Sequence, residues 1–313
     1  MSKMSVLLTL LLPTVLAAPW KVLDDNFPDP SVIQTKDGFY AFGTTGNGVH
    51  AQIAHSKDFT SWEKLSHDAL PGPFPSWVKS ESPSIWAPDV IQRNDGTFVM
   101  YFSAIAKDER KHCIGAATSS SVRGPYKPAP NALACPIDQG GAIDAAGFKD
   151  SDGSFYVVYK IDGNSLNTHG GKKHPTPIML QKLHSDALTP SGKPVQLLDR
   201  DDRDGPLVEA PSLVKHGDTY LLSFSSNMYN TKWYDVSYAT AKKVTGPYTK
   251  STAPLLESGH QSDVGKLVAP GGADFLPDGK RILFHAFNNG ENMKKGRGVW
   301  AADISIDGGQ IHI

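Results

Sequence analysis

One short phrase is written five times along the chain, and that repeat limits the available folds more than any other feature. Asp29-Pro30-Ser31-Val32-Ile33 runs into Asp37-Gly38-Phe39-Tyr40, and Ala87-Pro88-Asp89-Val90-Ile91 into Asp95-Gly96-Thr97-Phe98. Asp144-Ala145-Ala146-Gly147-Phe148 leads to Asp152-Gly153-Ser154-Phe155, and Ala210-Pro211-Ser212-Leu213-Val214 to Gly217-Asp218-Thr219-Tyr220. The fifth copy is read at Ala269-Pro270, running through Asp274-Phe275 into Asp278-Gly279. Anchored on Pro30, Pro88, Ala145, Pro211 and Pro270, the steps are 58, 57, 66 and 59 residues. A repeat of that length, built from short strands and Asp-Gly turns, predicts blades arranged around one axis. The fold expected is therefore all-β, a five-bladed β-propeller.

Within each unit an aromatic and aliphatic run follows the turn, as in Phe98-Val99-Met100-Tyr101-Phe102 and Phe155-Tyr156-Val157-Val158-Tyr159. Such runs between turn residues are strand signals. A third strand of smaller residues follows, for example Ile114-Gly115-Ala116-Ala117-Thr118. No amphipathic helix of useful length is evident. The long connections, Leu70 to Ser84, Asn164 to His174 and Leu198 to Leu207, are the segments that would shape a binding site on a rigid scaffold.

The first 17 residues read as a secretory signal. Lys3 supplies a positive start, Val6 to Leu16 is mostly apolar, and Val15-Leu16-Ala17 offers small residues for cleavage after Ala17. A buried N-terminal segment is the alternative. Residues 18–313 then form one catalytic domain, and the protein is expected to be secreted and extracellular. The net charge is −1 with no basic block, so neither nucleic acid nor an anionic membrane is an expected partner. A monomer is expected. The two cysteines, Cys113 and Cys135, can pair in an oxidising compartment and close a loop of about 22 residues, worth ~3 kcal/mol, or remain as buried thiols.

Three acids stand out by their place in the repeat. Asp29 opens the first strand of unit one, Asp144 that of unit three, and Glu209 precedes the Ala-Pro of unit four. A propeller would bring all three to one face near the axis. Carboxyl groups so placed cannot all ionise as ordinary surface acids, and their pKa values should separate. One raised carboxyl can protonate a leaving oxygen while an ionised one activates water, the pairing that glycoside hydrolysis needs. Asp89 lies two residues after Ala87, the counterpart of Asp29, and is expected to be displaced from the axis.

The chain resembles glycoside hydrolase family 43, the five-bladed propeller enzymes of arabinan and xylan breakdown. The resemblance rests on Asn26-Phe27-Pro28-Asp29-Pro30-Ser31, Ile85-Trp86-Ala87-Pro88-Asp89-Val90, Ala142-Ile143-Asp144, Thr176-Pro177-Ile178 and Val208-Glu209-Ala210-Pro211-Ser212. It covers roughly residues 24 to 306, and the order and spacing of the motifs make it specific. It implies an inverting hydrolase with Asp29 as general base, Glu209 as general acid, and Asp144 orienting the acid and tuning its pKa. It also implies that Trp86 is an aromatic wall beneath the terminal sugar, with a core tryptophan as the alternative. Arg297 would reach the pocket, or else lie exposed at a strand edge. His285 would hold a water-ligated structural calcium on the propeller axis, as in some members, or be a satisfied core histidine. No cofactor is required for the reaction itself. His169 and His174, in a polar loop with Lys172 and Lys173, are read as solvated.

The expected activity is removal of terminal α-L-arabinofuranosyl or β-D-xylosyl units from an oligo- or polysaccharide. An endo-1,5-α-L-arabinanase with an open cleft is the alternative within enzymes. A non-catalytic carbohydrate-binding propeller is the alternative outside them, but none of the three acids is lost.

Overall fold

A computed structural model describes residues 17–166, 173–290 and 292–313. The signal reading of residues 1–17 falls almost wholly outside these, as do His169 and Lys172. The alternation of branched and aromatic residues between Asp-Gly turns folds into five four-stranded antiparallel sheets. Blade one comprises Ser31–Thr35, Gly38–Gly43, Gln52–Ser56 and Trp62–Lys64. Blade two comprises Trp86–Gln92, Phe98–Ile105, His112–Ser119 and Lys127–Pro128. Blade three comprises Ala142–Lys149, Phe155–Ile161, Ile178–Leu183 and Val195–Leu198. Blade four comprises Val208–His216, Thr219–Ser226, Ser237–Ala241 and Thr249–Lys250. Among the described residues there is no α-helix, only three short 3-10 turns, and no helix long and apolar enough to cross a membrane.

Blade five joins the two ends of the chain. Its first three strands are Gly271–Phe275, Arg281–Asn289 and Asn292–Asp303, and its fourth is the N-terminal strand Trp20–Leu23. Trp20 pairs with Ala301, Lys21 with Trp300 and Leu23 with Val299. Leu23 is buried with Phe27, Leu283 and Val299. The ring is thus closed by main-chain hydrogen bonds between residues about 280 positions apart. Small residues fill the third strand of blade two: Ala117 packs in the cluster shared with blade one and Ala116 in that shared with blade three, while a Cβ on Gly115 would fall 2.6 Å from the ring of its cross-strand partner Phe102. Cys113 and Cys135 form a disulfide with their Cα atoms 4.6 Å apart.

Each inner strand begins with a kink. Asp29, Ala87, Asp144, Ala210 and Gly272 all have left-handed backbones, with φ of 56°, 41°, 58°, 51° and 58°. In blades two to five the pairing slips across this residue, between Trp86 and Asp89, Ile143 and Ala146, Glu209 and Ser212, and Gly271 and Asp274. A bulge of this kind re-aims side chains, and bulges concentrate next to working sites. The common geometry corrects the fifth anchor: the counterpart of Asp29 is Gly272, and Ala269-Pro270 lies upstream of the strand. Gly272-Ala273 lacks the proline that marks three of the other kinks, so the fifth kink has no proline to signal it in the sequence.

Asp89 is also corrected. It is not displaced from the axis; it lines a narrow axial cavity together with Ser31, Ala146, Ser212, Asp274 and the kink residues. The kink at Ala87 keeps both Ala87 and Asp89 on the wall of this cavity. Burial, and secondarily the carboxyl of Asp274, raises Asp89 well above the usual carboxylate range. These buried polar groups stitch blades together. Asp89 accepts from Gly147 N (2.6 Å), Asp274 from Val32 N and Ser212 Oγ (both 2.6 Å), and Ser31 Oγ donates to Pro88 O (2.7 Å).

The kink turns a buried N–H toward the preceding blade, and each of the five has a side-chain partner. Asp29 N donates to His285 Nδ1 (3.1 Å), Ala87 N to Thr44 Oγ1 (2.9 Å), Asp144 N to Ser103 Oγ (3.1 Å) and Gly272 N to Ser225 Oγ (2.9 Å). These four acceptors occupy one equivalent place, near the end of the second strand, opposite the residue before their own blade's kink. Ser103 pairs with Trp86, Ser225 with Glu209 and His285 with Gly271, while Thr44 N bonds Pro28 O. Blade three breaks the pattern. Its equivalent residue is Lys160, opposite Ile143, which cannot accept a hydrogen bond. There Ala210 N bonds Asp144 Oδ2 instead, at 3.0 Å.

Removing the closing strand, by starting the chain at Asp25, should lower the melting temperature by at least ~5 °C, since a ring opened at one blade loses both a main-chain ladder and buried apolar contacts. Calorimetry on the shortened chain checks this; an unchanged transition would show that blade five is stable with three strands.

Candidate active site

The three acids singled out from the repeat meet at the kinked ends of the inner strands. Asp29 and Asp144 are kink residues on the rim of the axial cavity, and Glu209 is one residue before the kink of blade four. Their environments differ. Asp29 Oδ1 accepts from Arg297 Nη1 at 2.8 Å and Oδ2 from Thr44 Oγ1 at 2.6 Å. Burial alone would raise its pKa, but the Arg297 guanidinium and the Thr44 hydroxyl hold the carboxyl below its usual range. Asp29 is therefore a carboxylate at neutral pH.

Asp144 is pushed the other way, up to about 8, by burial first and then by the charges of Glu209 and Asp29; Lys160 opposes this in part. It is a neutral acid over most of the physiological range. Glu209 is buried and both its oxygens accept: Oε2 from Lys160 Nζ at 2.8 Å, Oε1 from Tyr234 OH at 3.0 Å. Lys160 is fully buried and also contacts Asp162 Oδ1 at 3.0 Å. Burial alone would discharge it, but Glu209, Asp162 and Asp144 raise its pKa, so it stays a cation.

Arg297 is not at an exposed edge. It lies in Asn292–Asp303 opposite Phe287, its main chain fixed by Asn26 Oδ1 (3.0 Å) and by Phe27 N (2.9 Å). Gly296 permits this approach: its φ is 75°, and a Cβ there would fall 2.3 Å from Asn26 Oδ1. The guanidinium lies 5.0 Å from the ring of Tyr229, a half-exposed residue.

His285 is fully buried, stacked on Tyr234, and kept neutral, its pKa lowered to about 3 by burial and by Arg297. Its Nδ1 accepts the Asp29 N–H, which places the ring proton on Nε2, and Nε2 lies 3.4 Å from Arg297 Nη1. This setting does not fit the calcium ligand that the resemblance implied. One nitrogen is occupied, the other faces a guanidinium, and among the described residues no group of three or more His, Cys, Asp or Glu side chains is arranged to hold a metal. His285 is instead the acceptor for blade one's kink. His174, expected in solvent, is half-buried against Gly163.

Trp86 occupies in blade two the place that Glu209 holds in blade four. It is 37% exposed and its inner face stacks on His112, ring centres 3.6 Å apart. Burial lowers His112 to about 4, so the ring beneath the indole is neutral. A supported, half-exposed indole beside the site is suited to stacking on a sugar ring. Sequence reasoning missed Lys160, Tyr234 and Thr44. The available signal was a lysine ending the apolar run Phe155–Tyr159, where an exposed position is not expected.

The description "Glycosyl hydrolases family 43" matches residues 21–310. The chain belongs to that family. It is 27% identical to the extracellular exo-α-(1→5)-L-arabinofuranosidase ArbA of Cellvibrio japonicus, over 84% of this chain and 80% of that one. It is 32% identical to the extracellular endo-α-(1→5)-L-arabinanase of Thermotoga petrophila over 160 residues, 42% of this chain and only 33% of that protein. Among solved structures, a thermostable family-43 glycoside hydrolase superposes with a TM-score of 0.78 at 27% identity, covering 92% of each chain. The fold is the five-bladed propeller that the repeat suggested.

Replacing Arg297 by Met removes the cation that lowers Asp29, so the Asp29 carboxyl should titrate at higher pH in the variant. Carbon NMR of labelled aspartate carboxyls measures it; an unshifted Asp29 resonance would show that Arg297 does not control its charge.

Proposed function

We propose that this chain is a secreted, inverting, exo-acting glycosidase that removes terminal α-L-arabinofuranosyl or β-D-xylosyl units from plant cell-wall arabinan, arabinoxylan or xylan oligosaccharides. The observation that carries this reading is the split in charge among three carboxyl groups on one rim, Asp29 held ionised by Arg297 and Asp144 held neutral beside Glu209. Asp29, as a carboxylate, takes a proton from water as the water oxygen bonds the anomeric carbon. Glu209 gives the glycosidic oxygen a proton as the carbon–oxygen bond breaks, the proton being the one that the Glu209–Asp144 pair holds and that rests on Asp144 in the free site. Asp144 orients Glu209 through its bond to Ala210 N, the adjacent backbone, and sets the charge around it. Trp86 carries the terminal sugar. The step needs no redox or organic cofactor.

The sugar assignment is supported by the Cellvibrio japonicus relative, whose name gives an exo-arabinofuranosidase. Secretion is supported by the signal-like residues 1–17 and by relatives named extracellular. A monomer is part of this reading, consistent with a propeller that closes within one chain. The Thermotoga petrophila relative's name favours a second reading, endo-arabinanase action. Linear arabinan separates them: monosaccharide alone supports the exo reading, whereas an oligosaccharide ladder supports the endo one.

Replacing Glu209 by Ala should cut hydrolysis of poor leaving groups by about 10²–10⁴-fold while nitrophenyl glycosides suffer far less, because they need little protonation. Equal loss on both would remove Glu209 from the acid role. Asp29→Ala should lose turnover on both substrates, since no leaving group substitutes for an activated water. Retained activity would place the base elsewhere.

A further inference from the structure

Lys160 is the one exception to a fivefold rule, and the exception falls beside the acids. In blades one, two, four and five the residue near the end of the second strand is Thr44, Ser103, Ser225 or His285, and each accepts the next blade's kink N–H. In blade three a lysine stands there, fully buried. The kink N–H it abandons, that of Ala210, is taken by Asp144. The lysine turns to Glu209 (2.8 Å) and Asp162 (3.0 Å). One substitution within the repeat thus recruits Asp144 to the backbone next to Glu209 and sets a cation on Glu209 itself. A buried cation is costly to keep unless it is paired, and the scaffold needs only a hydroxyl at this place.

We propose that Lys160 is a positioning residue for the reaction: it orients Glu209 and governs, through its charge, how the Glu209–Asp144 pair shares its protons. This rests on the roles proposed above for those two acids. The groups that face the pair are Lys160 and Asp162 from blade three, Tyr234 from the connection following the second strand of blade four, and Asp29 from blade one, with Arg297 and His285 of blade five behind Asp29. His112 lies near Asp162. Only Lys160 supplies positive charge in direct contact with Glu209 among the described residues. Asp162, also in contact with the lysine, offsets part of that charge.

Opposite shifts are expected for the two neighbours. Lys160→Ser installs the hydroxyl that blades two and four use, so a folded ring is retained. With the cation gone the pair holds its proton to higher pH, and the basic limb of the kcat/KM profile should move up by at least one pH unit. Asp162→Asn leaves the lysine's charge unopposed, and the limb should move down. Lys160→Arg should keep the limb near its original place. The profiles are measured on an unactivated disaccharide and on a nitrophenyl glycoside, with circular dichroism reporting the fold. A loss of rate with the limb unmoved in both Lys160→Ser and Asp162→Asn would overturn the proposal, since a merely structural lysine lowers activity without shifting the profile. If Lys160→Ser does not fold, Asp162→Asn and Lys160→Arg decide it by the same limb. If the wild-type protein itself hydrolyses neither substrate, the proposed function fails first, and that outcome is distinct from an active enzyme with an unmoved limb.

Discussion

The structure depends on a buried backbone N–H that must be bonded. Each inner strand enters the propeller through a left-handed residue, and four of the five are not glycine. Such a conformation costs roughly 1–2 kcal/mol for a residue with a Cβ, and an unpaired N–H would add to it. The cost is offset by a hydrogen bond to the preceding blade at every kink. The same five bonds tie the blades to one another around the axis, so local strain and ring closure are solved by one device. What the strain provides is direction: the kink lets Asp29 and Asp144 look out over the rim while the residues two positions on still line the axis.

On that rim the surroundings assign different charge states to chemically similar groups. Asp29 is buried, yet Arg297 and Thr44 outweigh the desolvation. Asp144 is buried without a cation in direct contact, and the carboxyls around it prevent its ionisation until about pH 8. A proton held by the Glu209–Asp144 pair and a carboxylate at Asp29 then coexist at neutral pH, the condition for acid–base hydrolysis of a glycoside. The clamp residues and the charge-setting residues are largely the same ones. Thr44 bonds both the Ala87 N–H and Asp29; His285 bonds the Asp29 N–H and lies beside Arg297; Lys160 holds Glu209. Stability and electrostatics are therefore not separable at this site.

Much of this was legible in the sequence because it repeats. Five units with Asp-Gly turns gave the blades, and the shared place of Asp29, Asp144 and Glu209 in those units gave the acids. The fifth anchor was misread because Gly272 replaces the usual residue before proline, and a glycine carries no side chain to announce a kink. Asp89 was expected away from the axis because it lies two residues past the kink position, but the inner strand runs along the axis, so that offset leaves it on the cavity wall. Thr44, Ser103 and Ser225 were invisible because hydroxyl residues are ordinary in strands; only the cross-strand register shows that they stand at one place. Lys160 could be seen as odd at the end of an apolar strand, but what it touches depends on packing between blades three and four, which no local pattern encodes.

The central claim is that Asp29 activates a water molecule that displaces the sugar's leaving group in one step. Proton NMR of the first sugar released from an aryl α-L-arabinofuranoside, recorded before mutarotation, tests it most directly. The account predicts that the β anomer appears first. Initial release of the α anomer would mean a retained configuration and a covalent intermediate, and would contradict it.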